Sequence, residues 1–245
     1  MQRHEEQQMI RWNAVLVALG AVALAGTTAP ALSAQDQDHE ITDMAKRLNQ
    51  SFADPDDDWA ARLERDGREV ADNRYAIVDQ LSLQPGLDVA DIGAGSGMFS
   101  RIVARRVGPD GDVYAVDIAA NLVEHIAETA REEGLDNLHA MLGDPRDPGL
   151  PENSVDRILI VDTYHHFEYP QEMLEHIKRA LRPDGLFLLV EPERIQGITP
   201  PPIISMVRAG KGTVTDEILD AGFELVDDVD LMESQYVLKF KLRGM

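Results

Sequence analysis

The chain has 245 residues, 44% of them hydrophobic, which is enough to bury one substantial core. Its formal net charge of −21 at pH 7 argues against DNA, RNA or an anionic membrane as a partner, because their phosphates would be repelled. It has no cysteine, which excludes disulfides, thiolate metal sites, a cysteine nucleophile and a lipidated cysteine anchor.

Residues 1–34 have the layout of a signal peptide or membrane anchor. The uncharged run AVLVALGAVALAG at 14–26 precedes small residues that offer cleavage after Ala31 or Ala34. The run is short for a membrane span, which needs about 20 apolar residues. We therefore expect export to the periplasm, with no stable membrane span after cleavage. Residence in the cytoplasm and anchoring to the membrane are the alternatives.

Residues 35–83 form a predicted helical lead-in. The segments at 41–52 and 59–83 have helical periodicity and many charges. The sequence ADPDDD at 53–58 separates them and is typical of a linker or turn. A lid over a pocket is the expected role of this lead-in.

Residues 84–245 alternate between short apolar runs and helical segments, which predicts an α/β domain. The runs lack polar alternation, as strands covered on both faces do, and the intervening helices imply a parallel sheet. The predicted fold is Rossmann-like and doubly wound, with a C-terminal antiparallel hairpin from FELVDDVDLM and QYVLKFKL. The predicted strands are 87–92, 112–117, 138–142, 155–161 and 185–190, and the helices are 97–107, 119–133 and 170–182.

The stretch VADIGAGSGMFS at 89–100 places a glycine-rich loop between a strand and a helix. It lacks the lysine of a phosphate-binding P-loop, and Met98 stands where a dinucleotide fingerprint has its third small residue. A purely structural tight turn is the remaining alternative. Asp117, at the end of the next strand, can accept both hydroxyl protons of a ribose and would repel a 2′-phosphate. With Asp91 before the loop, it favours a nucleoside ligand with an unmodified ribose.

Five segments in order resemble class I S-adenosylmethionine-dependent methyltransferases: VADIGAGSG, AVDI, LGD at 142–144, SVDRILIVDTYHHF and LRPDGLFLLVE. The resemblance runs from about residue 73 to 242. It implies a seven-stranded sheet, S-adenosyl-L-methionine as cofactor, and in-line methyl transfer to a small-molecule acceptor.

The resemblance also implies roles for single residues. Asp91 and the loop backbone would hold the methionine end of the cofactor. Asp117 would bind the ribose, Ile118 would pack on the adenine, and Asp144 would accept from its amino group. Asp162 would line the sulfonium side and the substrate mouth. The loop residues concerned are Gly93, Ala94, Gly95 and Gly97.

His165 and His166 follow the fourth predicted strand, where α/β folds place their ligands. Either could act as a general base, with His165 slightly favoured, or one could pack inward while the other meets solvent. A metal site with Asp162 is conceivable, but adjacent histidines usually point apart, so no metal is predicted. Glu191 and Arg194, after the fifth strand, could touch a substrate or pair with each other.

Two other functions remain open. Export would separate the protein from a cytosolic cofactor, which suggests a non-catalytic nucleoside-binding protein on a methyltransferase scaffold. Retention of Asp91 and Asp117 counts against it. Aminopropyl transfer is the other candidate, although YHHF after Asp162 does not fit the pattern expected of it.

Overall fold

The structure is a computed structural model that describes residues 43–50, 59–197 and 199–244. The predicted signal segment and the predicted linker at 53–58 lie outside the described residues, so export stays a prediction. Within the described ranges, no helix has the length and apolar character needed to cross a bilayer.

The described residues contain one seven-stranded sheet in the order β3-β2-β1-β4-β5-β7-β6. The first five strands run parallel, and β7 pairs antiparallel with both β5 and β6. The predicted α/β fold with its C-terminal hairpin is thereby confirmed. The strands are β1 (Val89–Ile92), β2 (Val113–Asp117), β3 (Leu138–Leu142), β4 (Val155–Val161), β5 (Leu181–Pro192), β6 (Phe223–Val229) and β7 (Gln235–Leu242).

Helices cover both faces of the sheet, which is why the central strands lack polar alternation. Leu159 and Leu188 face one apolar cluster, with residues of α3 to α6, whereas Ile158 and Leu189 face the other, with residues of α7 and α9. The helices are α1 (43–50), α2 (Trp59–Glu64), α3 (Glu69–Asp72), α4 (Arg74–Asp79), α5 (Met98–Val107), α6 (Ala120–Glu132), α7 (Pro170–Ala180), α8 (Pro201–Met206) and α9 (Lys211–Asp220).

The lead-in consists of short helices, and charged side chains join it to α5 and to the turn between β6 and β7. Arg101 of α5 donates to both carboxylate oxygens of Glu64, at 2.9 and 3.0 Å. Glu69 accepts the backbone N–H groups of Glu233 and Ser234, at 2.7 and 2.9 Å, in the turn between β6 and β7. These contacts hold the loop at 65–68 above the carboxyl ends of the strands.

Candidate active site

A cavity of ≈ 990 Å³ opens at the carboxyl ends of β1, β2 and β4. The lead-in contributes to its wall, as a lid would, through Trp59, Leu63 and Arg68 among others. Gly97 does not line it. The predicted site residues that do are Asp91, Gly93, Ala94, Gly95, Asp117, Ile118, Asp144, Asp162, His165 and His166.

The glycine loop owes its shape to close contact with the loop after β4. Gly93 has φ +77°, and a Cβ there would lie 2.1 Å from Cγ2 of Thr163. Only glycine therefore fits this position without moving the loop after β4. Gly97, at the start of α5, also favours glycine. Its φ is +73°, and a Cβ there would lie 3.0 Å from the side chain of Ile126.

The N–H groups of this loop are already engaged within the protein. Those of Gly93 and Ala94 donate to the carbonyl of Val116, at 2.8 and 3.0 Å. That of Gly95 donates to Asp117 Oδ2 at 2.9 Å, and that of Gly97 to the carbonyl of Ala94 at 2.8 Å. The loop therefore offers a ligand close approach of its backbone rather than a row of free donors.

Asp117 is the carboxylate best placed to bind a ribose. Its Oδ1 accepts the N–H of Ala119 and its Oδ2 that of Gly95, both at 2.9 Å. Each oxygen keeps lone-pair capacity for a hydroxyl, since an ionised carboxylate has about four acceptor sites. Burial raises the pKa of Asp117, while the two N–H bonds act in the opposite direction. The carboxylate is thus fixed and lines the cavity, and its binding of a ribose stays a prediction.

The residues after β2 and β3 line the part of the cavity where the adenine is predicted to bind. Ile118 is 43% exposed, so its side chain is available to an aromatic base. Asp144 Oδ1 accepts the N–H of Arg146 at 2.9 Å, which orients the carboxylate within a tight turn. Both positions agree with the roles that the resemblance implied, and those roles remain predictions.

Asp91 is buried at the end of β1 beneath the glycine loop. Its Oδ2 accepts the hydroxyl of Ser100 at 2.5 Å. Burial raises the pKa of Asp91 from 3.8 to about 6; the Ser100 hydrogen bond opposes this shift and the charge of Asp117 adds to it. The fold therefore holds an ionised carboxylate at neutral pH at a cost in stability.

Replacing Asp91 with asparagine should stabilise the protein at neutral pH. A carboxyl with a raised folded-state pKa contributes stability below its unfolded pKa and loses it as pH rises through the folded value, here between 3.8 and about 6. The introduced amide has no charge to desolvate, so Asp91→Asn should raise the free energy of unfolding at pH 7 by up to about 3 kcal/mol. Urea denaturation at pH 7 and at about pH 4 tests this, because the gain should shrink at the lower pH. A gain of equal size at both values would contradict the charge-based explanation.

Asp162 follows β4 and faces the lead-in. It adopts φ +49°, and its Oδ2 pairs with Arg68 at 2.5 Å. Its Oδ1 is buried and has no hydrogen-bond partner among the described residues. Burial raises the pKa of Asp162, and the charge of Arg68 opposes the rise.

His165 is held by a buried carboxylate that sequence reasoning did not connect with it. Its Nδ1 lies 2.8 Å from Oε2 of Glu191, and Glu191 Oε1 accepts the N–H groups of Thr163 and Tyr164, both at 2.7 Å. Burial alone would lower the pKa of His165, but the charge and hydrogen bond of Glu191, with the charge of Asp162, raise it overall. This arrangement leaves Nε2 as the ring nitrogen available to other groups.

His166 has a different environment. Its Nδ1 lies 3.2 Å from the side-chain oxygen of Asn49, whose amide nitrogen donates to the carbonyl of His166. Burial, followed by the charge of His165, lowers the pKa of His166 to about 3. His166 is therefore a neutral ring and a weak base, which favours His165 for proton transfer.

Two other expectations about this region can be compared with the structure. Glu191 does not pair with Arg194, which donates instead to the carbonyl of Val207 at 3.0 Å. Where the chain is described, no three histidine or acidic side chains are grouped as a metal ion would require. Arg68 and Asn49 were missed by sequence reasoning, since neither belongs to a motif and both reach the site from the lead-in.

Over part of its length the chain is similar to known methyltransferases. Residues 90–189 match the family model described as "Methyltransferase domain". The chain is 34% identical over 145 residues to nocamycin O-methyltransferase of Saccharothrix syringae, covering 58% of this chain and 50% of that protein. It is 26% identical over 118 residues to the ubiquinone/menaquinone biosynthesis C-methyltransferase UbiE of Bordetella avium, covering 48% of this chain and 46% of that protein. The chain thus spans about half the length of these curated relatives.

The fold is shared with a solved structure. The crystal structure of a SAM-dependent methyltransferase from Aquifex aeolicus aligns with a TM-score of 0.68 at 23% identity. The alignment covers 75% of this chain and 96% of that chain. At this identity the likeness shows the fold alone.

Proposed function

We propose that the protein is an S-adenosylmethionine-dependent methyltransferase that transfers a methyl group to a small-molecule acceptor. Its residues 90–189 match the methyltransferase family model, which supports the proposal. The observation that carries the proposal is that one cavity is lined both by the ribose-binding candidate Asp117 and by His165. The named O- and C-methyltransferase relatives support the same class of reaction.

The acceptor side of the cavity favours an apolar molecule. Trp59 and Leu63 of the lead-in, Phe167 after β4, and Ile203 and Met206 of α8 line it. Pockets for small molecules combine such apolar walls with a few placed polar groups. A compact acceptor with an apolar body and one ionisable nucleophile fits this wall better than a nucleic acid, whose phosphates the acidic protein would repel.

The main contribution of the protein to catalysis is to position the acceptor against the methyl group of the cofactor. When bound, S-adenosylmethionine supplies an electrophilic methyl group on a sulfonium sulfur. The protein aligns the acceptor with that group and excludes water, which removes much of the entropic barrier. His165 Nε2 takes the proton of an acceptor that arrives protonated, while Glu191 holds the ring through Nδ1.

Calorimetric titration of the full-length protein with S-adenosylmethionine, S-adenosylhomocysteine and NAD tests the cofactor. We expect micromolar binding of the first two ligands and none of NAD, because the loop lacks the dinucleotide fingerprint. Transfer of a radiolabelled methyl group to a panel of apolar phenols and carboxylic acids then tests the reaction. A folded sample that binds none of the ligands would refute the proposal, and binding without transfer to any acceptor would favour the non-catalytic alternative.

A further inference from the structure

The cavity continues past β4 to the ends of β5 and β7, where the β5–β7 wall closes it. This wall consists of the end of β5, the start of β7 and α8 with the residue before it. Four of its residues are apolar and two are polar: Pro192, Pro200, Ile203, Met206, Ser234 and Gln235. Since the cofactor-binding candidates Asp91 and Asp117 lie at the ends of β1 and β2, the β5–β7 wall is left for the acceptor.

Gln235 carries the polar group of this wall that lacks a hydrogen bond. The hydroxyl of Ser234 donates to Glu69, whereas Oε1 of Gln235 is enclosed and has no hydrogen-bond partner among the described residues. An enclosed polar atom without a partner is unfavourable, and buried polar groups in native proteins are nearly always hydrogen-bonded. The amide is therefore a candidate for a hydrogen bond to a bound molecule.

The sheet fixes the position of Gln235. Its Cα pairs in register with that of Pro192, and the N–H of Glu193 donates to the carbonyl of Ser234 at 2.8 Å. The backbone is thus held on both sides of the pair. The location of the amide relative to the other strand ends therefore depends on the sheet and not on a loop.

The strand order sets the separation between Gln235 and the base candidate His165. His165 follows β4 and Gln235 begins β7, and β5 lies between these two strands. Neighbouring strands are about 4.8 Å apart, so the ends of β4 and β7 lie about 10 Å apart. A molecule that reaches both residues has two polar groups at opposite ends of an apolar body about two rings long.

The chemistry of an amide indicates which group it would bind. An amide both donates and accepts hydrogen bonds, and its terminal torsion is broad and two-fold, so either atom can turn towards the cavity. A hydroxyl group matches it, because a hydroxyl also donates and accepts. A carboxylate can only accept and an ammonium can only donate, so each would leave one side of the amide unpaired.

We propose that Gln235 binds a hydroxyl group of the acceptor. The protein then selects elongated apolar molecules that carry this hydroxyl at the end remote from the methylated group. The inference rests on the proposed function.

A set of biphenyls that share one phenol tests the proposal: 4,4′-dihydroxybiphenyl, 4-hydroxybiphenyl and 4′-hydroxybiphenyl-4-carboxylate. Each is titrated calorimetrically into the full-length protein saturated with S-adenosylhomocysteine. Wild type is compared with Gln235→Leu, which removes the amide at similar size, and with Gln50→Leu. Gln50 lines the same cavity from α1 and is therefore the matched control.

We expect wild type to bind the diol about 5- to 10-fold more tightly than 4-hydroxybiphenyl, beyond the statistical advantage of a symmetric molecule. The carboxylate should bind no more tightly than 4-hydroxybiphenyl, because its desolvation is not repaid by the amide. In Gln235→Leu the advantage of the diol should vanish, while the affinity for 4-hydroxybiphenyl stays within about threefold. Gln50→Leu should keep the advantage of the diol.

Equal affinity of wild type for the diol and 4-hydroxybiphenyl would overturn the proposal, as would an advantage of the diol that persists in Gln235→Leu. Tighter binding of the carboxylate than of the diol would assign an anion to the β5–β7 wall instead. Binding of none of these probes, by a protein that does bind S-adenosylhomocysteine, would refute the proposal and leave the proposed function standing. Failure to bind S-adenosylhomocysteine would refute the proposed function, and this inference with it.

Discussion

Replacing Asp117 with alanine is expected to lower the affinity for S-adenosylmethionine by at least about 100-fold. Two hydroxyl groups would lose a charged acceptor, and each such hydrogen bond contributes about 1.5–3 kcal/mol. The same change leaves the N–H groups of Gly95 and Ala119 without their acceptor, so the glycine loop should also lose its shape. From the micromolar affinity expected of wild type, a loss of at least about 100-fold gives a dissociation constant of about 0.1 mM or weaker.

Calorimetry with S-adenosylhomocysteine measures the effect of Asp117→Ala, and two variants make it specific. Asp112→Ala removes a carboxylate at the opposite, amino end of β2. This carboxylate hydrogen-bonds His139 and does not line the cavity. The affinity of this variant should match wild type. Asp117→Asn keeps one acceptor oxygen and should retain intermediate affinity. Wild-type affinity in Asp117→Ala would show that the ligand does not use this carboxylate, and the assignment of the whole cavity would have to be abandoned.

The central sheet could be predicted closely because its strands are buried on both faces. The run at 155–161 coincides with β4, and the helix expected at 97–107 is observed as Met98–Val107. Long apolar runs leave few alternative arrangements in a chain of this length. β5 is longer than the predicted strand at 185–190, because its pairing with β4 begins at Leu181. Leu181 pairs with Val155, and the register between the two strands shifts before the next pair, at Arg157.

The lead-in was harder to predict, since local signals there compete. Residues 59–83 have a continuous helical pattern, but the structure divides them into α2, α3 and α4. Gly67 has φ +83°, outside the helical region, and its N–H donates to the side chain of Asp72 at 3.1 Å instead of to a helical carbonyl. A side-chain acceptor close in sequence can thus end a helix that periodicity alone would extend.

The pairings within the site could not be predicted because they join distant parts of the chain. Arg68 and Asp162 are 94 residues apart, and His165 and Glu191 are 26 apart. Sequence placed Asp162 and His165 after one strand and Glu191 near the end of the next, and the parallel pairing of β4 with β5 brings these ends together. Individual residues at strand ends were therefore identifiable, whereas their partners depended on register and on the path of the lead-in.

Replacing His165 with glutamine is expected to reduce kcat by about 10²–10⁴-fold for an acceptor that must lose a proton. The affinity for S-adenosylmethionine should stay within about threefold of wild type, because Asp117 and the glycine loop are untouched. Glu191→Gln should give a loss of similar size, since its amide can donate to Nδ1 and would leave the proton on Nε2, where the base must be free. Steady-state kinetics with the first acceptor found in the methyl-transfer screen measures both effects.

The pH dependence distinguishes proton transfer from a structural role. Glu191 and Asp162 raise the pKa of His165. The pH profile of wild-type kcat should therefore have an ascending limb, and the midpoint of that limb should lie above the usual histidine pKa of about 6.5. The limb should disappear in His165→Gln. The matched control is His139→Gln, which removes an exposed ring bonded to Asp112 at the same 2.8 Å, at the amino end of the sheet, and should leave both kcat and the limb unchanged. A persistent limb in His165→Gln would assign the proton transfer to another group, and an unchanged kcat would mean that the acceptor reaches the cavity already ionised.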